Sequence, residues 1–362
     1  AARRVALLCD FTPLKAFTPR KGPPTSQGLT RDVQRARAVQ ARPVRPCGTA
    51  SSASVLRARH FSRHHTAVMR LGDIDLSARW RALVSAGLIS ASVKQPSGIA
   101  VDYGLRIGET GAVEEWVGDG APDAVRSAID AGAGRSTVFY GAYAAQLQLV
   151  RTLRPPPAAN LQDLQPYDAS TDSFVVGPLR LQIREKLARV ECGSGRAWDV
   201  YHNVSPCDPR LHVLLFPDLS DEARNWRRQA LNVADCVDLC WLARAAPDLL
   251  LGFNSLRAGA SQNHVHIHAW PADFSSAGRP YAVCEAGVRA DVPALVLRDE
   301  VVVALLEYPV ACIRVTGRDA AAAGKALGAA LGAVEALGLA HNVVAIDDEA
   351  YLFARRADGE RA

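Results

Sequence analysis

From Asn263 to Pro271 the chain reads NHVHIHAWP, and this stretch restricts the fold more than any other. In an extended strand successive side chains point to opposite faces. His264, His266 and His268 therefore share one face, while Val265, Ile267 and Ala269 share the other. Three apolar residues on one side call for a covering layer there. The histidine side must then line a cleft or meet solvent.

The flanking sequence supplies further elements. DLLLGFNSL (248–256) reads as a second strand, joined to the first by the loop RAGASQ, and LHVLLFP (211–217) as a third. Between them Leu219, Ala223, Trp226, Ala230, Val233, Val237 and Trp241 recur at helical spacing, so one helix is expected from Ser220, ended by Pro247. FVVGPLRLQIREKL and AWDVYHNV bracket the turn sequence ECGSGRA as a hairpin. Upstream, residues 76–89 read as an amphipathic helix capped by Ser77, 105–136 as a loop or loose helix, and 138–153 as a strand. Pro155, Pro156 and Pro157 make 154–172 a loop. Downstream, ALVLRDEVVVALLEYPVACIRVTG is strand-rich, RDAAAAGKALGAALGAVEALG is helical, and NVVAIDDEAYLFAR is a hairpin turning at Asp347–Asp348. The order strand, helix, strand, loop, strand implies an α+β chain with an antiparallel sheet covered by helices. Residues 71–273 form one expected half and 274–362 a smaller second half of similar shape.

Charge separates the first residues from the rest. Of the 42 Lys/Arg and 37 Asp/Glu, 14 and 2 fall within residues 1–70, which leaves 28 and 35 for residues 71–362 and a net charge of −7 there. That balance argues against a nucleic-acid-binding surface on the folded part. The basic, Ser- and Pro-containing stretch 1–70 has three readings: an organelle-targeting segment, a docking arm for an acidic partner, or leader sequence upstream of Met69. The eight cysteines form no CxxC pair and no dense frame, which fits a reducing compartment, and Cys236 and Cys240 read as buried thiols. No run approaches the roughly 18 apolar residues of a membrane span.

Three readings of the histidine row stay open on chemistry alone. It is a half-exposed strand face; or part of a zinc site, with His202 or His212 as a further ligand; or a nucleophile with helpers. In the last, a neutral central imidazole, His266, attacks phosphorus while its neighbours stabilise charge developing on oxygen. The loop before it offers backbone N–H groups and hydroxyls to a phosphate.

The stretches NVSPCDPRLHVLLFP and LLLGFNSLRAGASQNHVHIHAWP, with a helix between them, resemble the histidine-triad (HIT) superfamily, and within it the GDP-hexose phosphorylases, both GDP-L-galactose and GDP-D-glucose phosphorylases. LLEYPVACIRVTG and HNVVAIDDEAYLFAR resemble their second half, and the likeness spans roughly residues 76–355. It implies two HIT-like halves and a nucleotidyltransferase that converts a GDP-sugar and inorganic phosphate into hexose 1-phosphate and GDP. His266 would carry the guanylyl group, with His264 orienting it and His268 donating to phosphate oxygens. Asn254 and Ser255 correspond to nucleotide-pocket residues, Ser261 and Gln262 lie near the phosphate, and His212 and Arg151 support the site. The chemistry requires no metal and no cofactor. The resemblance implies a cytoplasmic protein, and a mitochondrial or plastid one if residues 1–70 are a targeting segment. A homodimer, and an organellar complex reached through the basic stretch, complete the expected partners. At some positions the chain departs from the family. Gln148, Leu149 and Val150 replace Asn-Glu-Gly, Leu211 replaces a Gly, residues 169–178 hold no lysine, and His268 stands where the plant enzymes have Gln. A non-catalytic accessory subunit on the same fold is the alternative.

Overall fold

A computed structural model describes residues 70–95, 97–140, 143–154, 166–172, 174, 186–274 and 279–356, all within one compact unit. The basic stretch and most of FVVGPLRLQIREKL lie outside the described residues.

The described chain opens with α1 (Leu76–Ser85), which buries Leu76, Trp80, Leu83 and Val84 along one stripe. Its cap is Asp75, whose carboxylate accepts from the Ala78 N–H at 2.8 Å, and not Ser77 as expected from the sequence. A three-stranded antiparallel sheet follows: β1 (Ser90–Lys94), β2 (Ala100–Ile107) and β3 (Val113–Val117). Then come α2 (Asp123–Asp130) and the hairpin β4 (Arg135–Tyr140) and β5 (Tyr143–Gln148). Of the loop or loose helix expected over 105–136, α2 supplies a helix, whereas β3, the end of β2 and the start of β4 are corrections. Glycines and acids mask the alternation of Val101, Tyr103 and Leu105, which point inward from β2. Gly104 permits a close approach, since a Cβ there would lie 2.3 Å from the Ile89 carbonyl oxygen. The single strand expected over 138–153 is instead the end of β4 and all of β5, paired with each other, followed by a 3-10 turn, Leu149–Leu153, that buries Val150 and Leu153 beside Tyr103 and Ile129.

A larger sheet forms the body. Its strands are β6 (Lys186–Glu191), β7 (Ala197–His202), β8 (Val213–Pro217), β9 (Leu249–Asn254) and β10 (Ile267–Pro271). The short pair β11 (Asp273–Phe274) and β12 (Arg279–Pro280) stands apart from it, before β13 (Leu295–Val296), β14 (Val302–Leu305), β15 (Cys312–Thr316), β16 (Ala340–Ile346) and β17 (Glu349–Arg355). The ten strands run β13-β14-β15-β17-β16-β9-β10-β8-β7-β6, every neighbour antiparallel. Pairing of Asn254 with Asn342 and Gly252 with Val344 joins β9 to β16, so strands on either side of residue 273 share one sheet. The chain is therefore α+β with antiparallel sheets.

The helix expected from Ser220 is two helices, α3 (Glu222–Asn225) and α4 (Val233–Ala245), separated by residues 226–232. α4 starts at a reciprocal cap: the Asn232 side chain accepts from the Asp235 N–H at 3.0 Å, and Asp235 accepts from the Asn232 N–H at 2.8 Å. α4 and α5 (Ala320–Ala336) cover one face of the sheet, over Leu215, Leu251, Phe253, Ile267, Val343 and Leu352. The two helices touch closely, because a Cβ on Gly324 would lie 2.4 Å from the Val237 Cα. The opposite face of the sheet carries the histidines.

Candidate active site

The approach to β10 keeps the alternation read from the sequence. Val265, Ile267 and Ala269 sit in the helix-covered core, and the histidine rings emerge on the other side. Regular strand begins only at Ile267, so His264 and His266 need other supports. Gln229, buried in the break between α3 and α4, provides one. Its Oε1 accepts from the His266 N–H at 2.9 Å, and its Nε2 donates to the Asn254 carbonyl at 2.9 Å and the His266 carbonyl at 3.3 Å. One amide thus ties the end of β9 to the start of β10. Nothing in the sequence signals it, because Gln229 falls inside the apparently continuous helical pattern.

Hydrogen bonds assign the protons on the clustered rings. His266 Nδ1 lies 2.7 Å from the His264 carbonyl oxygen, which can only accept, so Nδ1 carries the hydrogen. Burial pushes the His266 pKa down to about 4, and the ring is neutral near pH 7. Its Nε2 therefore holds a lone pair, with no hydrogen-bond partner among the described residues. Phe216 stacks on the ring with centroids 5.9 Å apart and planes 29° from parallel, and Phe174 meets it edge-on.

The neighbouring ring has the opposite polarity. The Cys207 N–H donates to His212 Nδ1 at 2.8 Å. Burial first, then the charges of Arg151 and Arg154, hold His212 well below the ordinary histidine pKa, so it is neutral and carries its hydrogen on Nε2. That N–H donates to His268 Nδ1 at 2.9 Å, leaving the Asn203 amide nitrogen, 3.3 Å away, as a contact only. His268, also held low by burial and then by His266 and His212, must carry its own hydrogen on Nε2. Two rings with centroids 4.9 Å apart thus present a lone pair and an N–H side by side.

His264 points to a partner that the sequence does not reveal. Its Nδ1 lies 2.5 Å from Asp172 Oδ2, with both side chains buried. Asp172 also accepts from the Tyr167 hydroxyl and the Phe174 N–H, each at 2.8 Å. Burial pulls this carboxyl upward, but the hydrogen bond and charge of His264 outweigh it, helped by Tyr167 and Phe174, and the pKa falls below the usual carboxylate value. Burial and then the Asp172 carboxylate push the Tyr167 phenol up. Asp172 lies 92 residues from His264, in the segment noted only for lacking a lysine, so no spacing rule connects them.

The remaining candidates fall around this centre. Asn254, half-buried at the end of β9, accepts from Asn342 Nδ2 at 2.6 Å. The Ser255 hydroxyl accepts from the His341 N–H at 2.9 Å and donates to the Leu256 carbonyl at 3.1 Å, so it serves the backbone. Ser261 and Gln262 lie in the bend leading to His264. Arg151 donates to the Ser205 carbonyl at 3.1 Å, in the loop that carries Cys207. The Cys207 carbonyl in turn accepts from Arg135 at 2.6 Å and from Gln148, one of the residues where the chain departs from the family. For the zinc reading, His202 pairs with Val213 and so shares the face opposite the triad, and both ring nitrogens of His212 are engaged, by the Cys207 N–H and by His268. Among the described residues no group of three or more His, Cys, Asp or Glu is placed to hold a metal ion. No helix among them is long and apolar enough to cross a membrane.

No family model matches the chain, and no curated protein matches it. Among solved structures, the chain is similar to the yeast Ap4A phosphorylase Apa2. The complex with Ap4A matches at 13% identity over 77% of this chain and 80% of that one, with a TM-score of 0.37. The complex with AMP gives 13% identity over 79% and 80%, with a TM-score of 0.34, and a further structure of the enzyme 12% over 82% and 85%, with 0.36. Likeness at this level supports neither the site nor its chemistry, which rest on the geometry above.

Proposed function

We propose that the chain is a nucleotidyltransferase of the GDP-hexose phosphorylase type, working through a covalent histidine intermediate. The observation that carries this reading is the pair of opposed tautomers: a lone pair on His266 Nε2 beside an N–H on His268 Nε2. Attack by His266 Nε2 on the α-phosphorus forms an N–P bond and breaks the P–O bond to the bridging oxygen. The electron pair leaves with hexose 1-phosphate. His268 donates to phosphate oxygens as charge builds on them. An oxygen of inorganic phosphate then attacks the same phosphorus, the N–P pair returns to His266, and GDP departs. Asn254 borders the nucleotide pocket in this reading, with Ser255 holding the backbone behind it, Ser261 and Gln262 approach the phosphates, and Arg151 adds positive charge. GDP-sugar as donor and phosphate as acceptor come from the family resemblance.

Incubating the full chain with phosphate and a panel of GDP-sugars, then trapping protein-bound guanylyl label, tests the proposal. Label is expected on the wild type and absent from His266→Ala. If no nucleotide sugar labels the wild type, the reading fails. A non-catalytic accessory role is favoured by one observation, the 2% exposure of His266 with Phe174 against its ring. Recovery of an unlabelled chain within a larger assembly would support it.

A further inference from the structure

Burying a carboxylate costs several kcal/mol unless donors surround it. Asp172 has three donors, two of which lead toward His266: the N–H of Phe174, whose ring lies edge-on to it, and His264 Nδ1, whose residue alone also supplies the carbonyl that His266 Nδ1 reaches. His264 is joined at both ends: its ring to Asp172, and its backbone carbonyl to the Nδ1–H of His266. His264 Nε2 is buried and has no partner among the described residues, so Asp172 is what fixes this ring's orientation. Tyr167, Phe174 and Phe216 enclose it edge-on, with centroids 5.5 to 5.9 Å away, and none supplies a competing acceptor.

We infer that Asp172 is a positioning residue for the nucleophile: by anchoring the His264 side chain it fixes the carbonyl that holds the His266 hydrogen on Nδ1 and leaves Nε2 free to attack. The backbone N–H of His266 is already held by Gln229. Asp172 and Gln229 thus secure the nucleophile from two sides, and only the Asp172 side selects a tautomer. Without the carboxylate, the His264 ring and its carbonyl are released, and the His266 hydrogen can move to Nε2. A ring in that form has no lone pair aimed at phosphorus.

Charge adds a second signature. The groups facing His266 are His264 and Asp172 from the flanking segments and His268 from β10, with His212, Arg151 and Arg154 behind His268. The Asp172 charge favours protonation of His266, whose pKa lies at about 4. Neutralising Asp172 therefore moves the acid limb of the rate profile to lower pH while slowing the reaction.

The inference rests on the proposed nucleotidyl transfer for its rate readout, but not for its structural one. Long-range proton–nitrogen NMR of histidine-labelled full chain reports the His266 tautomer without substrate. The wild type is expected to show a hydrogen on Nδ1 alone, and Asp172→Asn a mixture of tautomers. With a GDP-sugar as probe, the same variant should form labelled protein about 10- to 100-fold more slowly, with KM changed less than about twofold. That loss is smaller than the roughly 10⁴-fold seen when a carboxylate bonded directly to a catalytic base is neutralised. Asp172→Glu, which keeps the charge, should recover part of the rate. Asp172→Ser, smaller and free of steric conflict, is the second variant should Asp172→Asn not fold, and carries the same expectation. A wild-type tautomer and rate in the folded variant would overturn the inference. If the wild type forms no labelled protein, the NMR result still decides the role of Asp172.

Discussion

Among the described residues four buried imidazoles are held below the ordinary histidine pKa, and three of them belong to the candidate site. The fourth, His341, stacks on Phe253 with centroids 5.9 Å apart, and neither ring nitrogen has a hydrogen-bond partner among the described residues. Burial pushes its pKa down to about 4, as it does for His266. An unfolded histidine titrates near 6.5. Between about pH 4 and 6.5 the unfolded chain therefore binds more protons, so the stability is fully present above 6.5 and is lost as pH falls toward 4. At pH 5 each of these two rings accounts for about 2 kcal/mol of that loss, at 1.36 kcal/mol per pKa unit. Urea unfolding should show the wild type several kcal/mol weaker at pH 5 than at pH 7.5, and His341→Leu should recover about 2 kcal/mol of the difference. The labelling rate should behave differently. It should stay nearly flat from pH 7 to 5, because His266 remains neutral there, and fall only toward pH 4. The place of His266 was legible in the sequence because alternation alone sets a row of three with a centre. Asp172 and Gln229 were not, because each reaches the row across chain distances that no local pattern encodes.

Among the elements, the α4–α5 contact is the one most sensitive to a single methyl group. Gly324 faces Val237 backbone at distances no Cβ tolerates, whereas Gly332, on the same helix, has nothing within 4 Å. Gly324→Ala should destabilise the protein by about 3 kcal/mol, since the helices must separate. Gly332→Ala should stabilise it by about 0.5–1 kcal/mol, the ordinary gain in helix propensity. Paired urea titrations compare the two directly, and equal effects would mean that the helices do not pack this closely. α5 itself was legible from its run of small residues, and the structure adds its cap, Asp319, whose carboxylate accepts from the Ala322 N–H at 2.8 Å. The break before α4 was not. Trp226 and Ala230 satisfy helical spacing while lying in a turn, and the Asn232–Asp235 cap marks the real start. That break is what allows Gln229 to reach the strand ends.

At the scale of the whole molecule, the β9–β16 pairing makes residues 186–274 and 279–356 partners in one sheet. A chain cut between them would leave β9 and β16 with unpaired, apolar edges. Residues 71–273 made alone should aggregate, and the intact chain should unfold in one transition by both circular dichroism and tryptophan fluorescence. Two separated transitions would contradict this. The antiparallel α+β architecture was readable from element order, because hairpins and short connections leave few other arrangements. The three-stranded sheet near the start was not, because glycines placed for close strand approach look like loop sequence.

The backbone of Cys207 has a further consequence. Its carbonyl takes Arg135 and Gln148 from the β4–β5 hairpin, and its N–H takes His212. The two groups belong to successive peptide planes that meet at the Cys207 Cα, so a shift of the carbonyl reaches the N–H only through φ and ψ of this one buried residue. The hairpin thus acts on the proton of the His212 ring through the backbone of one intervening residue. Gln148, the first of the three residues where the chain parts from the family it resembles, holds the far end of that link, and sequence change there can retune the His212 proton while the histidines stay in place.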